Sequence, residues 1–208
     1  YGQSNDKNNP KLIYGEAYSL YKNGKYEEAL KKFQSLKNSD YYNQSIYHIF
    51  AINYKLKNFN EIIRDREIIR KVVVSQVDTD NIIRIIANSA YQVGNYKLAK
   101  DYYGRLFAVS PDKENLFRVI LLDSQMLDME DLRIRFNQYN ELYSSDTEFK
   151  KDVYLYTGDA YYKAGDPERA EQIYKTYLNQ YTNTEVISSL MSTLLEQKKY
   201  DEMEQYLS

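Results

Sequence analysis

Residues Ala160–Leu178 read AYYKAGDPERAEQIYKTYL. A glycine and an Asp-Pro pair separate two tyrosine-containing segments, so the stretch is either an active-site loop or one copy of a structural unit. Its local chemistry is that of a joint between two helices. Gly165 supplies the left-handed residue that closes a preceding helix. Asp166 is a good N-cap, and Pro167 falls in the first turn of the next helix, where its missing N–H costs nothing. Beyond it the apolar residues of AEQIYKTYL recur at intervals of three and four, as on one helix face.

The joint recurs. NGKYEEALKKF (Asn23–Phe33), VGNYKLAKDYY (Val93–Tyr103) and AGDPERAEQIY (Ala164–Tyr174) share the glycine, then Ala29, Ala99 and Ala170 five residues on, then an aromatic at Phe33, Tyr103 and Tyr174. Seven residues before each glycine sits a small residue: Ala17, Ala87 and Gly158. Weaker copies lie between and after them, in LKNFNEIIRDR, LDMEDLRIRF and KKYDEMEQYL. The turn positions Gly24, Lys57, Gly94, Leu127, Gly165 and Lys198 are spaced 33, 37, 33, 38 and 33, which defines six helical hairpins.

The rest of the chain agrees with an all-α reading. Pro10 follows Asn9 as a second N-cap and proline pair, and Pro111 ends a helix. The β-branched run KVVVSQV, Lys71–Val77, reads as a last helical turn plus loop. The polar residues 1–9 are expected to form a disordered tail.

This pattern resembles the tetratricopeptide repeat, a pair of antiparallel helices of about 34 residues, over residues 11–207. The match is strongest in VYLYTGDAYYKAGDPERAEQIYKTYL, and next in the repeat carrying Ala87, Tyr91, Gly94, Tyr96, Ala99, Tyr103 and Pro111. The resemblance implies an α-solenoid of about six hairpins forming a right-handed superhelix, as one repeat domain over 10–208. Its repeats lie near 11–42, 43–78, 80–111, 113–146, 150–182 and 184–208. Small residues let helices approach, the aromatic fills the gap between units, and stacking supplies the core that one hairpin lacks. Repeats two, four and six carry Phe50, Ile120 and Met191 at the small-residue place, so an irregular superhelix is expected. The extra residues after repeats two and four predict longer second helices, or longer loops near Val74–Thr79 and Ser144–Glu148.

Composition narrows the function. With 24 Tyr, 7 Phe and no Trp, the aromatic core carries hydroxyls that need edges or partners. A formal net charge of −2 gives no case for nucleic-acid or membrane-surface binding. The charge is uneven: residues 1–104 hold 16 Lys+Arg against 11 Asp+Glu, and residues 105–208 hold 12 against 19, a polarity that could orient an extended partner. Absence of cysteine removes disulfides, thiolate catalysis and zinc-thiolate sites. No apolar run is long enough to span a bilayer. A chain beginning at Tyr1 is expected to be a processed or excised product, with any signal or lipid anchor upstream. The final repeat ends within its second helix, so Met203, Tyr206 and Leu207 are expected to be partly exposed there, awaiting further chain or a partner.

Catalytic constellations are missing. His48 is the single histidine, so no triad and no two-histidine metal site can form, and it reads as a groove or surface side chain. The acidic cluster Asp123, Asp128, Glu130 and Asp131 lacks the glycine and oxygen spacing of a calcium loop, and first-turn acids of a helix explain it. The isolated glycines make no phosphate loop. We expect no enzyme activity, cofactor or metal.

The register carries the functional reading. In proteins of the resembled family the first helix of each hairpin lines a concave groove. Helical spacing places there Lys11, Tyr14, Tyr18, Tyr21 and Lys22, then Gln44, Tyr47, Ala51, Tyr54 and Lys55, then Asn81, Arg84, Asn88, Tyr91 and Gln92, with Phe117 beyond. The partner-binding candidates are Tyr14, Tyr18, Tyr21, Tyr47, Tyr54, Arg84, Asn88, Tyr91 and Phe117. Tyrosine offers rigid contact area with a hydroxyl, and Arg or Asn can bond a peptide backbone or carboxylate. The competing reading is tyrosine stacking that only stiffens the array. The lysine-asparagine clamp of chaperone-cofactor members finds no register here: the required places hold Tyr14, Tyr18, His48, Asn81 and Ile85, or Arg84, Asn88, Arg118, Asp152 and Tyr156.

The expected function is therefore a protein or peptide scaffold. Glycan binding is an alternative, though few amides or carboxylates surround the rings. Single-stranded nucleic acid would be repelled by the acidic half. Richness in Asn, Lys, Ile and Tyr points to an AT-rich bacterial genome. YNQSIYHIFAINYKLKNF and YKTYLNQYTNTE are similar in style to bacterial envelope members of the family, those of outer-membrane assembly and Tol-Pal systems, with a cytoplasmic assembly factor as the alternative.

Overall fold

All six turn positions take the left-handed conformation, and only three of them are glycine. Gly24, Gly94 and Gly165 have φ of 76°, 79° and 84°, while Lys57, Leu127 and Lys198 have φ of 60°, 53° and 59°. Each closes its helix with the same pair of backbone bonds. At the first turn Gly24 N donates to Tyr21 O and Lys25 N to Leu20 O; at the fifth Gly165 N donates to Tyr162 O and Asp166 N to Tyr161 O. These two hydrogen bonds satisfy carbonyls that the helix end would leave open. At Lys57, Leu127 and Lys198 the hairpin geometry imposes a conformation that L-residues disfavour.

The structure, a computed structural model, describes residues 7–207. Its α-helices are α1 (Pro10–Lys22), α2 (Tyr26–Ser35), α3 (Tyr42–Lys55), α4 (Phe59–Arg64), α5 (Gln76–Gln92), α6 (Tyr96–Val109), α7 (Lys113–Met126), α8 (Met129–Leu142), α9 (Lys150–Lys163), α10 (Pro167–Leu178), α11 (Thr184–Glu196) and α12 (Tyr200–Glu204). A 3-10 helix, Arg66–Arg70, follows α4, and no strand occurs among the described residues. Asn9 and Asp166 cap α1 and α10 from their side chains, with Pro10 and Pro167 in the first turns. Of the expected N-terminal tail, residues 1–6 lie outside the described residues.

The chain divides into two compact units, Tyr1–Leu106 and Phe107–Ser208, with the boundary inside α6. In the first, Ala17, Ala29, Phe33 and Ile52 are fully buried and Tyr14, Tyr21 and Tyr26 pack against them. In the second, the core runs from Leu116 and Ile120 through Tyr139, Tyr161 and Tyr174 to Leu190 and Leu194. The small-residue places of hairpins one, three and five are buried as close packing requires, and Phe50 and Ile120 fill the same places in hairpins two and four.

Hairpin two departs from the expected geometry. Its second helix does not lengthen: α4 has six residues, and the chain then tightens into the 3-10 helix. The loop ends at Ser75, whose hydroxyl accepts from Asp78 N and starts α5, so Gln76–Thr79 are helical rather than loop. Three consecutive valines at 72–74, stiff at χ1, disfavour continuing the earlier helix. After hairpin four the extra residues form the loop at 143–149.

Candidate functional site

On α1, Tyr14, Tyr18 and Tyr21 are spaced four and three apart, which puts their rings on one face. On α3, Tyr47 and His48 come up beside them. The His48 imidazole is the meeting point: its centroid lies 6.4 Å from that of Tyr14, 5.7 Å from Tyr18, 5.1 Å from Tyr21 and 5.5 Å from Tyr47, all edge-on. Beneath it the ring of Phe33 stacks at 5.0 Å and 10°. Edge-on rings present positive hydrogens to neighbouring π faces, the arrangement aromatic quadrupoles favour.

Electrostatics follow from this packing. Burial pushes the His48 pKa below its ordinary 6.5; the charge of Asp78 opposes that shift and the charge of Lys22 adds to it. His48 Nδ1 is buried and has no hydrogen-bond partner among the described residues. The imidazole therefore serves as a neutral aromatic spacer at neutral pH. Tyr18 is the open member, 40% exposed, with Lys22 Nζ 5.5 Å over its ring. Burial pushes up the hydroxyl pKa values of Tyr14 and Tyr47. The surface so formed offers ring faces, hydroxyls and one cation.

Tyr21 has a second contact, of a kind that Tyr54 and Tyr91 share. Tyr21, Tyr54 and Tyr91 each pack on the aromatic that opens the next helix, Tyr26, Phe59 and Tyr96, at 5.9, 5.8 and 5.5 Å. They staple their own hairpin turns. Asn88 accepts a hydrogen bond from the Tyr103 hydroxyl, which ties α5 to α6. Arg84 is half-buried. Phe117 is only 6% exposed and stacks on Phe149 at 4.5 Å, so it belongs to the core of the second unit rather than to an open surface. The structure thus brings Tyr14, Tyr18, Tyr21 and Tyr47 together. The residue that sequence reasoning undervalued is His48, and its position beside Tyr47 was the available signal.

Elsewhere, one oxygen each of Asp123, Asp128 and Asp131 lie within 4.8 Å of one another. Glu130 and Asp131 sit in the first turn of α8, where the helix dipole favours negative charge. A cavity of about 620 Å³ opens beside the shortened α4, with Ile46, Ile49, Phe50 and Ile68 among its lining. No helix among the described residues is long and apolar enough to cross a membrane.

Repeated helical hairpins, closed by the same turn and sealed by small residues facing aromatics, define an all-α helical-repeat protein. Two of the hairpins are similar to the tetratricopeptide repeat: that family's model matches residues 12–40 and 152–184, within hairpin one and across hairpin five. Solved structures share the fold. YrrB, described as a TPR protein with an unusual peptide-binding site, is similar with a TM-score of 0.60 at 16% identity, over 90% of each chain. MamA protein gives 0.59 at 13% identity, over 92% of this chain and 94% of that one. A tetratricopeptide repeat protein from Parabacteroides merdae gives 0.55 at 12% identity, over 95% and 90%. At these identities the likeness is one of fold. No curated protein matches the chain.

Proposed function

We propose that the protein is a non-catalytic scaffold that holds a segment of a partner protein against the tyrosine surface of its first unit, as part of bacterial envelope assembly. The observation that carries this reading is the gathering of Tyr14, Tyr18, Tyr21 and Tyr47, from two successive hairpins, around His48. Tyrosine is enriched where proteins bind because it combines large contact area with few rotatable bonds and a hydroxyl. Packing on His48 and Phe33 fixes the rings before a partner arrives, which lowers the entropy lost on binding. Lys22 beside Tyr18 suits a segment that carries an acidic or carbonyl group. The peptide-binding site described for YrrB supports a peptide ligand for this fold. The envelope assignment rests on the asparagine-, lysine- and tyrosine-rich repeat style.

The test is a Tyr18→Ala, Tyr47→Ala double variant, compared with the parent chain for affinity toward its co-purifying partner. A loss of about tenfold or more with unchanged helicity is expected. Unchanged affinity would move the binding surface elsewhere.

A further inference from the structure

In the second unit, Lys150 is a buried cation with no counter-ion among the described residues. It is only 9% exposed, and its ammonium donates to Ser144 O at 2.6 Å and lies 5.7 Å over the ring of Tyr181. No carboxylate pairs with it among the described residues, whereas its neighbour Lys151 is paired with Asp152 and Glu185. An ammonium with one carbonyl and one π face has donors left over for a ligand, and in a sheltered position it is well matched by an anion.

That ammonium borders a cavity of about 260 Å³ formed by the end of α8, the loop after it, the start of α9, the end of α10 and the loop that follows α10. Its walls include Tyr154, Tyr177 and Tyr181, with Gln180 at the exposed rim. Tyr177 and Tyr181 stack at 5.1 Å and 25°, and Tyr154 is held by its hydroxyl, which donates to Asn140 Oδ1 at 2.7 Å. The cavity is therefore built on fixed rings. No acidic residue lines it, although residues 107–208 hold 19 Asp+Glu against 11 Lys+Arg. In an acidic unit, a pocket lined by an ammonium, phenols and amides has the donor set of an anion site.

We propose that this pocket binds a carboxylate group, seated on the Lys150 ammonium with its carbon chain against the tyrosine rings. The volume suits a short carboxylic acid or one acidic side chain, and is too small for a drug-sized ligand. The site belongs to the second unit and does not depend on the reading given for the tyrosine surface of the first.

Calorimetric or NMR titration of the whole chain with two ligands tests this: glutarate, and the blocked tripeptide acetyl-Gly-Glu-Gly-amide. Saturable binding of at least one by about 10 mM is expected, weakened about tenfold or more by Lys150→Met. Glutarate alone binding identifies a free small acid as the ligand, whereas binding of the tripeptide as well identifies an acidic side chain. Should Lys150→Met fail to fold by circular dichroism, Gln180→Glu places a carboxylate at the exposed rim and is expected to weaken binding to the same degree. Saturation by neither ligand overturns the proposal. So does binding that a folded variant leaves unchanged.

Discussion

The ring of Tyr174 fills the space that a side chain at Gly158 would need: a Cβ there would lie 2.4 Å from Tyr174 Cε1. The ring is 1% exposed, and its hydroxyl donates to Asp159 Oδ1 at 2.5 Å, so it cannot easily move aside. Alanine at 158 would gain about 1 kcal/mol of helix propensity, but overpacking in a closed core loses about 1–3 kcal/mol. Gly158→Ala is expected to lower stability in urea denaturation, and adding Tyr174→Leu should recover part of the loss. A Gly158→Ala chain more stable than its parent would show that α9 and α10 are not in close contact there.

Lys57 and Leu127 hold the left-handed turn conformation without being glycine. A non-glycine residue there loses about 1–2 kcal/mol, partly offset by the greater freedom glycine has in the unfolded chain. Lys57→Gly and Leu127→Gly are each expected to stabilise by about 0.5–1 kcal/mol in denaturant midpoints. Destabilisation by both would mean that the turns relax without their side chains.

Asp146 is the polar anchor of the loop at 143–149. Its side chain is 4% exposed; it accepts from Lys113 Nζ at 2.8 Å, from the Tyr139 hydroxyl at 2.5 Å and from the N–H groups of Phe149 and Glu148. Burial alone would raise its pKa, but these donors outweigh it and hold the carboxyl at about 2, below the ordinary 3.8. A depressed carboxyl pKa stabilises the fold above the unfolded value, and that contribution, about 2 kcal/mol, is lost as pH falls from about 4 to about 2. Urea titrations at pH 7 and pH 2 should show this loss in the parent and not in Asp146→Asn. Equal pH dependence in both chains would contradict it.

His48 has the opposite chemistry and the same sign. Its lowered pKa means that folding favours the neutral ring, so the contribution is complete above 6.5 and falls as pH drops below that value. His48→Phe removes both this dependence and a buried nitrogen without a partner. It is expected to stabilise the chain by about 1 kcal/mol at pH 6. A destabilised variant would show that the imidazole makes a bond that phenylalanine cannot.

The hairpins were legible because their signals are local. Gly165, Asp166 and Pro167 mark a joint by backbone chemistry alone, and equal spacing carried the register to Lys57 and Leu127, which have no glycine to announce them. Tyr14, Tyr18 and Tyr21 were placed on one face by helical spacing. The same spacing misplaced Phe117, because α7 is buried on nearly all sides, from Leu116 to Ser124, and a helix without a polar face gives periodicity nothing to report. The shortening of α4 was not legible, since EIIRDREIIR is a good helical sequence and the break depends on how Ser75 starts α5. The cavity at Lys150 joins residues from three helices and two loops, and no short window contains it.

The proposed function places a partner segment on the tyrosine surface of the first unit. Replacing Tyr18 by photoreactive benzoylphenylalanine and irradiating cells tests it most directly, with Lys31, exposed on α2, as the control position. One discrete protein adduct is expected from position 18, reproduced from position 47 and absent from position 31. No adduct from 18 and 47, or the same adducts from all three positions, would contradict it.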